Sequence, residues 1–333
     1  MSLEHATRSQ DWPRRELYGV AALVILAAAP FYLGAYALHL AVSGGLMAVG
    51  AMALTVISGS AGLPSLGSAA FLAIGAFTSG ILATQLGFGL LPSMIVSAVL
   101  GLLAGVIVAA LTLRVSGLYL AVGTLALQNV VHVVATDLDL KLTYAAGFML
   151  EDPVLFGVTI NTLVRWWVLV LILMALTFCI FRFLLRSHIG REWSLLRVHP
   201  TAAAALGIFG AGSRVQVFAL TSAVIAVAGA LGAYHIGNVQ ADTYTVQLAI
   251  IYLTVAALGG AGNLVGAIVA SYIVILLPAF ISAAMGLLAI DATSRAAGLE
   301  SVAIGIILIF ALLQGPQQIA GWLMRWKVTH AGR

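Results

Sequence analysis

The sequence predicts an all-α, polytopic membrane protein with about ten membrane segments, and three observations carry this. Only 8% of the 333 residues are charged while 62% are hydrophobic, whereas a soluble globular protein carries about 25% charged residues to cover its surface. The mean hydropathy is +1.12. The apolar residues gather into runs of about twenty, the number an α-helix needs at 1.5 Å rise to cross roughly 30 Å of hydrocarbon. These runs are uniformly apolar rather than alternating and too long for barrel strands, so helices must pair their own backbone groups.

The segments fall at 17–38, 40–58, 66–86, 91–113, 117–135, 164–185, 214–235, 246–260, 264–285 and 300–324. Residues 1–16 form a polar N-terminal segment, 17–324 the transmembrane domain and 325–333 a tail. The first run starts at Leu17 and reaches Leu38. That is longer than the apolar core of a signal peptide, so an uncleaved first span is expected.

Charge assigns the sides. Arg182, Arg186, Arg191, Arg197 and Arg214 surround the 186–213 loop, with Glu192 its single acid. Arginine-rich loops stay in the cytoplasm. Arg8, Arg14 and Arg15 place the N-terminus there, and Arg325, Lys327 and Arg333 the C-terminus. The 136–163 loop, with Asp137, Asp139, Glu151 and Asp152 against Lys141, suits the outside. Ten alternating crossings satisfy every assignment. The arginines flank apolar runs and form no dense basic patch, so the surrounding partner is membrane lipid and not nucleic acid.

Several chemistries are excluded. Lys141 and Lys327 are the only lysines, and neither sits in a phosphate loop, so the chain is no P-loop ATPase. Cys179 is the one cysteine and the seven histidines make no HExxH pair, so no metal or cofactor is expected in this chain. No nucleophile constellation suggests an enzyme. His39, His132 and His235 fall near outer span ends, where a shared site is conceivable. No charged residue falls mid-span, which argues against ion coupling. Sodium can nevertheless be held by backbone carbonyls, so a stand-alone ion-coupled transporter or channel is the alternative reading.

Two glycine-rich stretches interrupt the helical pattern: Gly59 to Gly67 and Gly259 to Gly266. Unwound backbone at matching places can line a transport path; tight turns are the other reading. Ser65, Gly67, Gly259, Gly260 and Asn263 are the path candidates within them, with Thr55 just before. Thr124 and Gln128, four apart, share a helix face. Their polar groups either border the path or tie helices together.

Five blocks then carry a resemblance. They are GSAGLPSLGSAAFLAIGAF (59–77), LRVSGLYLAVGTLALQ (113–128), GREWSLLRVHPTAAAALGI (190–208), FALTSAVIAVAGALGAY (218–234) and ALGGAGNLVGAIVASYIVILLP (257–278). In this order the chain resembles the permease subunits of branched-chain amino-acid ABC importers, LivM type. The resemblance implies the ABC importer permease fold in the inner membrane and alternating access. It also implies a second homologous permease, two ATP-binding subunits that hold ATP and Mg, and an extracytoplasmic solute-binding protein. The implied solute is a branched-chain or hydrophobic amino acid, or a related small polar solute such as urea or an amide. The third block resembles a coupling loop, at about 186–213, whose short helix docks on an ATPase subunit. Here that helix is expected from Pro200 to Leu206, with proline suited to its first turn, alanines to its body and Gly207 to its stop. Arg191, Arg197, Thr201, Ala202, Ala203, Leu206 and Gly207 are its expected ATPase-facing residues, with Ala203 in the close-fitting centre. The chain departs from the family pattern at Thr55 (usually Asn), at Leu63-Pro64 (usually Gln-Leu), at Tyr144-Ala145 (often Gly-Gly) and at Pro200 (often Glu).

Single cysteines at Ser187 and Thr143, in a Cys179→Ala background, are expected to react with an impermeant thiol reagent from opposite faces of the membrane. Reaction of both from outside intact cells would overturn the sidedness.

Overall fold

The computed structural model describes residues 34–287, except 61, 64, 113–117, 156, 199, 209 and 261, together with 302, 305 and 306. The expected spans at 17–38 and 300–324 lie outside the described residues except at 34–38, 302, 305 and 306, as do both terminal segments. The described residues hold eight helices long and apolar enough to cross a membrane, corresponding to the second to ninth expected segments.

In chain order these are α1 (Ala35–Thr55, running into a π-turn at Val56–Ser60), α2 (Ser68–Leu86), α3 (Leu90–Thr112) and α4 (Leu118–Thr143). After two short strands pairs begin, α5 (Leu163–Arg186) leads to α6 (His188–Val198) and α7 (Pro200–Ala205), which do not span. Then come α8 (Gly210–Ile236), α9 (Val246–Gly259, entered by a 3-10 turn at Ala241–Thr243) and α10 (Leu264–Leu287).

Helix α1 is the hub: every residue from Gly44 to Thr55 is buried. Helix α8 lies in close contact with α2 and α3, and small side chains make that possible. Gly101 and Gly105 stand one turn apart on α3, facing Ser222 and Ala226 of α8. A Cβ at Gly101 would lie 2.5 Å from the Ala226 Cβ and 2.8 Å from the Ser222 carbonyl oxygen. Lipid tails are as apolar as the helices, so this close backbone approach, rather than a hydrophobic drive, holds the pair together. Helix α5 exposes Val164, Val168, Ile172, Leu176 and Ile180 at four-residue spacing, a stripe suited to hydrocarbon.

One end of the bundle is covered by a polar cap. Strand β1 (Phe148–Met149) pairs antiparallel with β4 (Asn238–Val239), and β2 (Val154–Leu155) with β3 (Val158–Thr159). The buried Asp139 carboxylate organises this cap. It accepts the Thr143 hydroxyl, the Gly147 N–H at 3.2 Å and the Ala241 N–H at 3.2 Å. Helix α4 therefore runs to Thr143, eight residues past the expected limit at 135. Its charges do not end it, because Lys141 pairs with Asp137 at 2.7 Å and Asp139 is satisfied inside. The opposite end, the arginine end, carries α6 and α7 with Arg186, Arg191, Arg197 and Arg214.

The turn after α4 holds Tyr144 and Ala145 at φ +55° and +65°. This left-handed region favours glycine, because it costs an L-residue about 1–2 kcal/mol. Ala145→Gly is expected to stabilise the protein by roughly 0.5–1 kcal/mol, after allowing for the freedom glycine gains when unfolded. A higher unfolding temperature of the purified protein would show it; a lower one would overturn the strain argument.

Candidate functional site

The two glycine breaks meet at the arginine end. After the π-turn the chain leaves helical geometry, with Gly62 at φ +67°, and re-enters it at Ser68. The second break turns at Gly260 and Gly262, φ +83° and +78°. Where these backbones are buried, their polar groups must find partners within the chain. The Gly262 N–H donates to the Thr55 carbonyl at 3.2 Å, joining one break to the other. The Leu63 N–H donates to the Ile57 carbonyl at 3.1 Å. The Leu66 N–H donates to the Thr124 hydroxyl at 2.9 Å, and the Gly67 N–H to the Ser65 hydroxyl at 3.3 Å. Thr124 in turn donates to the Ala121 carbonyl at 3.0 Å.

Asn263 is the N-cap of α10: its side-chain oxygen accepts the Gly266 N–H, three residues on, at 3.2 Å. Gly259 allows α9 and α10 to touch, since a Cβ there would lie 2.6 Å from the Ala267 nitrogen. The junction thus gathers Thr55, Ser65, Gly67, Thr124, Gly259, Gly260 and Asn263. The hydroxyls of Thr55 and Ser68 are buried there without a partner.

Gln128 lies one turn further along α4, away from the breaks. Its amide nitrogen donates to the Tyr244 carbonyl at 2.8 Å, tying α4 to the entrance of α9, and its amide oxygen is buried without a partner. It is fully buried within this chain, as is Thr124.

The short helix expected from Pro200 to Leu206 is present as α7, at the bounds Pro200–Ala205. Its C-terminus is a Schellman closure: the Ile208 N–H donates to the Ala203 carbonyl and the Gly207 N–H to Ala204, both at 3.0 Å, with Gly207 at φ +78°. Thr201, Leu206 and Gly207 are exposed, as is Arg191 on α6. Ala202 lies in the helix. Ala203 departs from expectation. It is fully buried against its own chain, so the face left for a partner is that of Thr201, Ala204 and Leu206.

Arg197 is exposed like Arg191, and it also makes a contact inside its own chain. Gly190, Trp193 and Arg197 recur at helical spacing on one face of α6, and Trp193 is only 1% exposed. From that face the Arg197 guanidinium donates to the carbonyl of Gly59, in the first break. The spacing of Trp193 and Arg197 was visible in the sequence; the break as their target was not. Asp139 reads in the sequence as one of the loop acids, and its burial has no linear signal, because acids near a span end read as solvated.

Of the three outer histidines, two meet: His39 Nδ1 lies 3.1 Å from His235 Nε2, with the Trp166 ring beside His235 at 5.1 Å. His132 is not part of that pair. Among the described residues no cluster of three or more potential metal ligands occurs. Beneath the pair lies a cavity of about 200 Å³ among α1, α8 and α9, lined in part by Ser43, Met47, Gly232, Tyr244 and Tyr252. A larger apolar crevice of about 330 Å³ runs between α2, α3 and α4.

Residues 36–312 match the family described as the branched-chain amino acid transport system / permease component. The chain is similar to the high-affinity branched-chain amino acid transport system permease protein LivM of Escherichia coli (strain K12). The two are 25% identical over 287 residues, covering 79% of this chain and 67% of that protein. The LivM protein of Salmonella typhimurium (strain LT2) matches to the same extent, 25% over 287 residues. No solved structure matches.

Thr124→Val keeps the side chain's shape and removes the acceptor for the Leu66 N–H. It is expected to destabilise the protein by about 1–3 kcal/mol, while Thr124→Ser retains most of the wild-type stability. Equal unfolding temperatures for all three forms would show that the bond does not hold the break.

Proposed function

The chain belongs to the branched-chain amino acid transport permease family, and from that premise we propose how it works as the permease subunit of an ABC importer. The arginine end is the cytoplasmic end, and the Asp139 cap faces the extracytoplasmic side of the inner membrane. The solute is a branched-chain or other hydrophobic amino acid, or a related small polar molecule. A solute-binding protein delivers it to the capped end. Two ATP-binding subunits, holding ATP and Mg, dock at the arginine end, and a second homologous permease completes the membrane unit. ATP hydrolysis belongs to those subunits; this chain only moves.

One observation carries the reading. A short, firmly closed helix, α7, lies packed at the arginine end through Ala203 and presents small residues and Leu206, itself 71% exposed. It is joined to α6, which is anchored in the bundle through Trp193. A surface helix on a rigid base suits the transfer of force from one subunit to another. Movement arriving there reaches the glycine junction, where the backbone is not locked into a continuous helix. The spans can then rock between inward-open and outward-open arrangements.

Leu206→Glu tests the contact better than a change at the buried Ala203. Exposed substitutions change stability by within about ±0.5 kcal/mol, so the variant is expected to insert and fold normally. It is expected to lose both the ATP-binding subunits on purification and solute uptake. Co-purification and uptake at wild-type levels would place the contact elsewhere.

A further inference from the structure

We propose that Arg197 is the positioning residue that links the cytoplasmic hairpin to the glycine junction, so that α6 and the first break move as one body. This rests on the function proposed above. Arg197 is then no part of the ATPase-binding surface; it is the inner end of the force path.

The geometry supports it at both ends of the link. On the hairpin side, Arg197 shares its helix face with Gly190 and Trp193. Gly190 packs at the corner from α5, where a Cβ would lie 2.5 Å from the Leu185 carbonyl oxygen. Trp193 fixes that face to the bundle; Arg191 and Arg197 are both exposed, and Arg197 is the one whose guanidinium reaches the Gly59 carbonyl. On the junction side, the acceptor is the Gly59 carbonyl, 138 residues away in sequence. Gly59 lies in the π-turn at the end of the long first helix, where carbonyls lack regular partners and carry partial negative charge. A guanidinium suits such an acceptor: it is always charged and presents its donors in a fixed plane.

The aliphatic stem of Arg197 also covers Gly62. A Cβ at that position would lie 2.7 Å from the Arg197 Cγ. Gly62, at φ +67°, is therefore held to glycine twice, by backbone conformation and by the arginine above it. One turn before Gly59, the Thr55 carbonyl receives the Gly262 N–H of the second break. A few residues beyond Gly62, the Leu66 N–H is held by Thr124. A single guanidinium thus grips the segment through which both breaks and α4 are connected.

The test uses the assembled importer with its ATP-binding subunits, in proteoliposomes, with Leu66→Cys as a reporter in a Cys179→Ser background. With Arg197 intact, the reactivity of the reporter toward a small thiol reagent is expected to differ between nucleotide-free and ATP-bound complexes. In Arg197→Gln the ATP-binding subunits are expected to co-purify in full and to hydrolyse ATP. The nucleotide-dependent change in reactivity is expected to vanish, and uptake per ATP hydrolysed to fall by roughly tenfold or more, the factor for one lost charge-assisted hydrogen bond. Arg197→Lys, which keeps a charge and a donor, is expected to recover part of the uptake. Gly62→Ala displaces the stem while keeping the charge, and is expected to uncouple in the same way. It also decides the matter should Arg197→Gln not insert. Loss of the ATP-binding subunits from Arg197→Gln would make the residue a docking contact and overturn the proposal. Wild-type uptake in either variant would overturn it as well. Failure of the function itself reads differently: the wild-type chain would then bind no ATP-binding subunit.

Discussion

A buried backbone N–H or C=O left unpaired costs free energy comparable to a lost hydrogen bond, yet this bundle opens its backbone at two partly buried junctions between consecutive spans. Each opening is tolerated because the other, or a neighbouring helix, supplies partners. The Thr55 carbonyl and the Gly262 N–H satisfy one another, and Thr124 serves Leu66. The arrangement requires the helices to be close. Glycine at 101, 105, 259 and 266 provides that closeness by removing side chains where backbones meet. Packing and hydrogen bonding are therefore one problem here: the small residues bring the breaks within reach, and the shared bonds make the breaks permissible.

The two ends of the bundle solve their polar problems differently. At the capped end a buried carboxylate collects N–H groups from two separate loops and fixes them to α4. At the arginine end a guanidinium on a surface hairpin meets a carbonyl at a helix terminus. The first device is enclosed and short-range, and suits a surface that must keep its shape. The second joins a short helix at the surface to a backbone that is not locked into a continuous helix.

Much of this was legible in the sequence. The eight described spans follow from run length and hydropathy, because lipid imposes both on every crossing helix. The glycine breaks were visible because no other residue type clusters so densely between apolar runs. The end of α7 was visible at Gly207, where a positive φ closes the helix. What a linear reading could not supply was direction. Whether Ala203 faces inward depends on how α7 rolls against its own chain, and all the alanines beside it look alike. Arg197 counted as a topology charge, since nothing in its neighbourhood names a carbonyl 138 residues away. Asp139 was hidden for the same reason: its amide partners are unremarkable residues whose roles come only from tertiary position. Gln128, the most conspicuous polar residue of its span, is a tie to the Tyr244 carbonyl within this chain.

The Asp139 cap has a consequence for how the protein is made. One of its partners, Gly147, follows only eight residues behind and emerges almost at once. The other, Ala241, lies 102 residues later, beyond α5, the arginine-end hairpin and the whole of α8. At translation rates of about 5–20 residues per second, the carboxylate waits roughly 5–20 s for its last donor. During that interval the loops of the capped end are joined to α4 but not to α8 and α9. Closure of the cap therefore marks the moment at which the two halves of the nascent chain have found each other. A chain cut short within α8 lacks the Ala241 donor, so its Asp139 carboxylate is left one partner short.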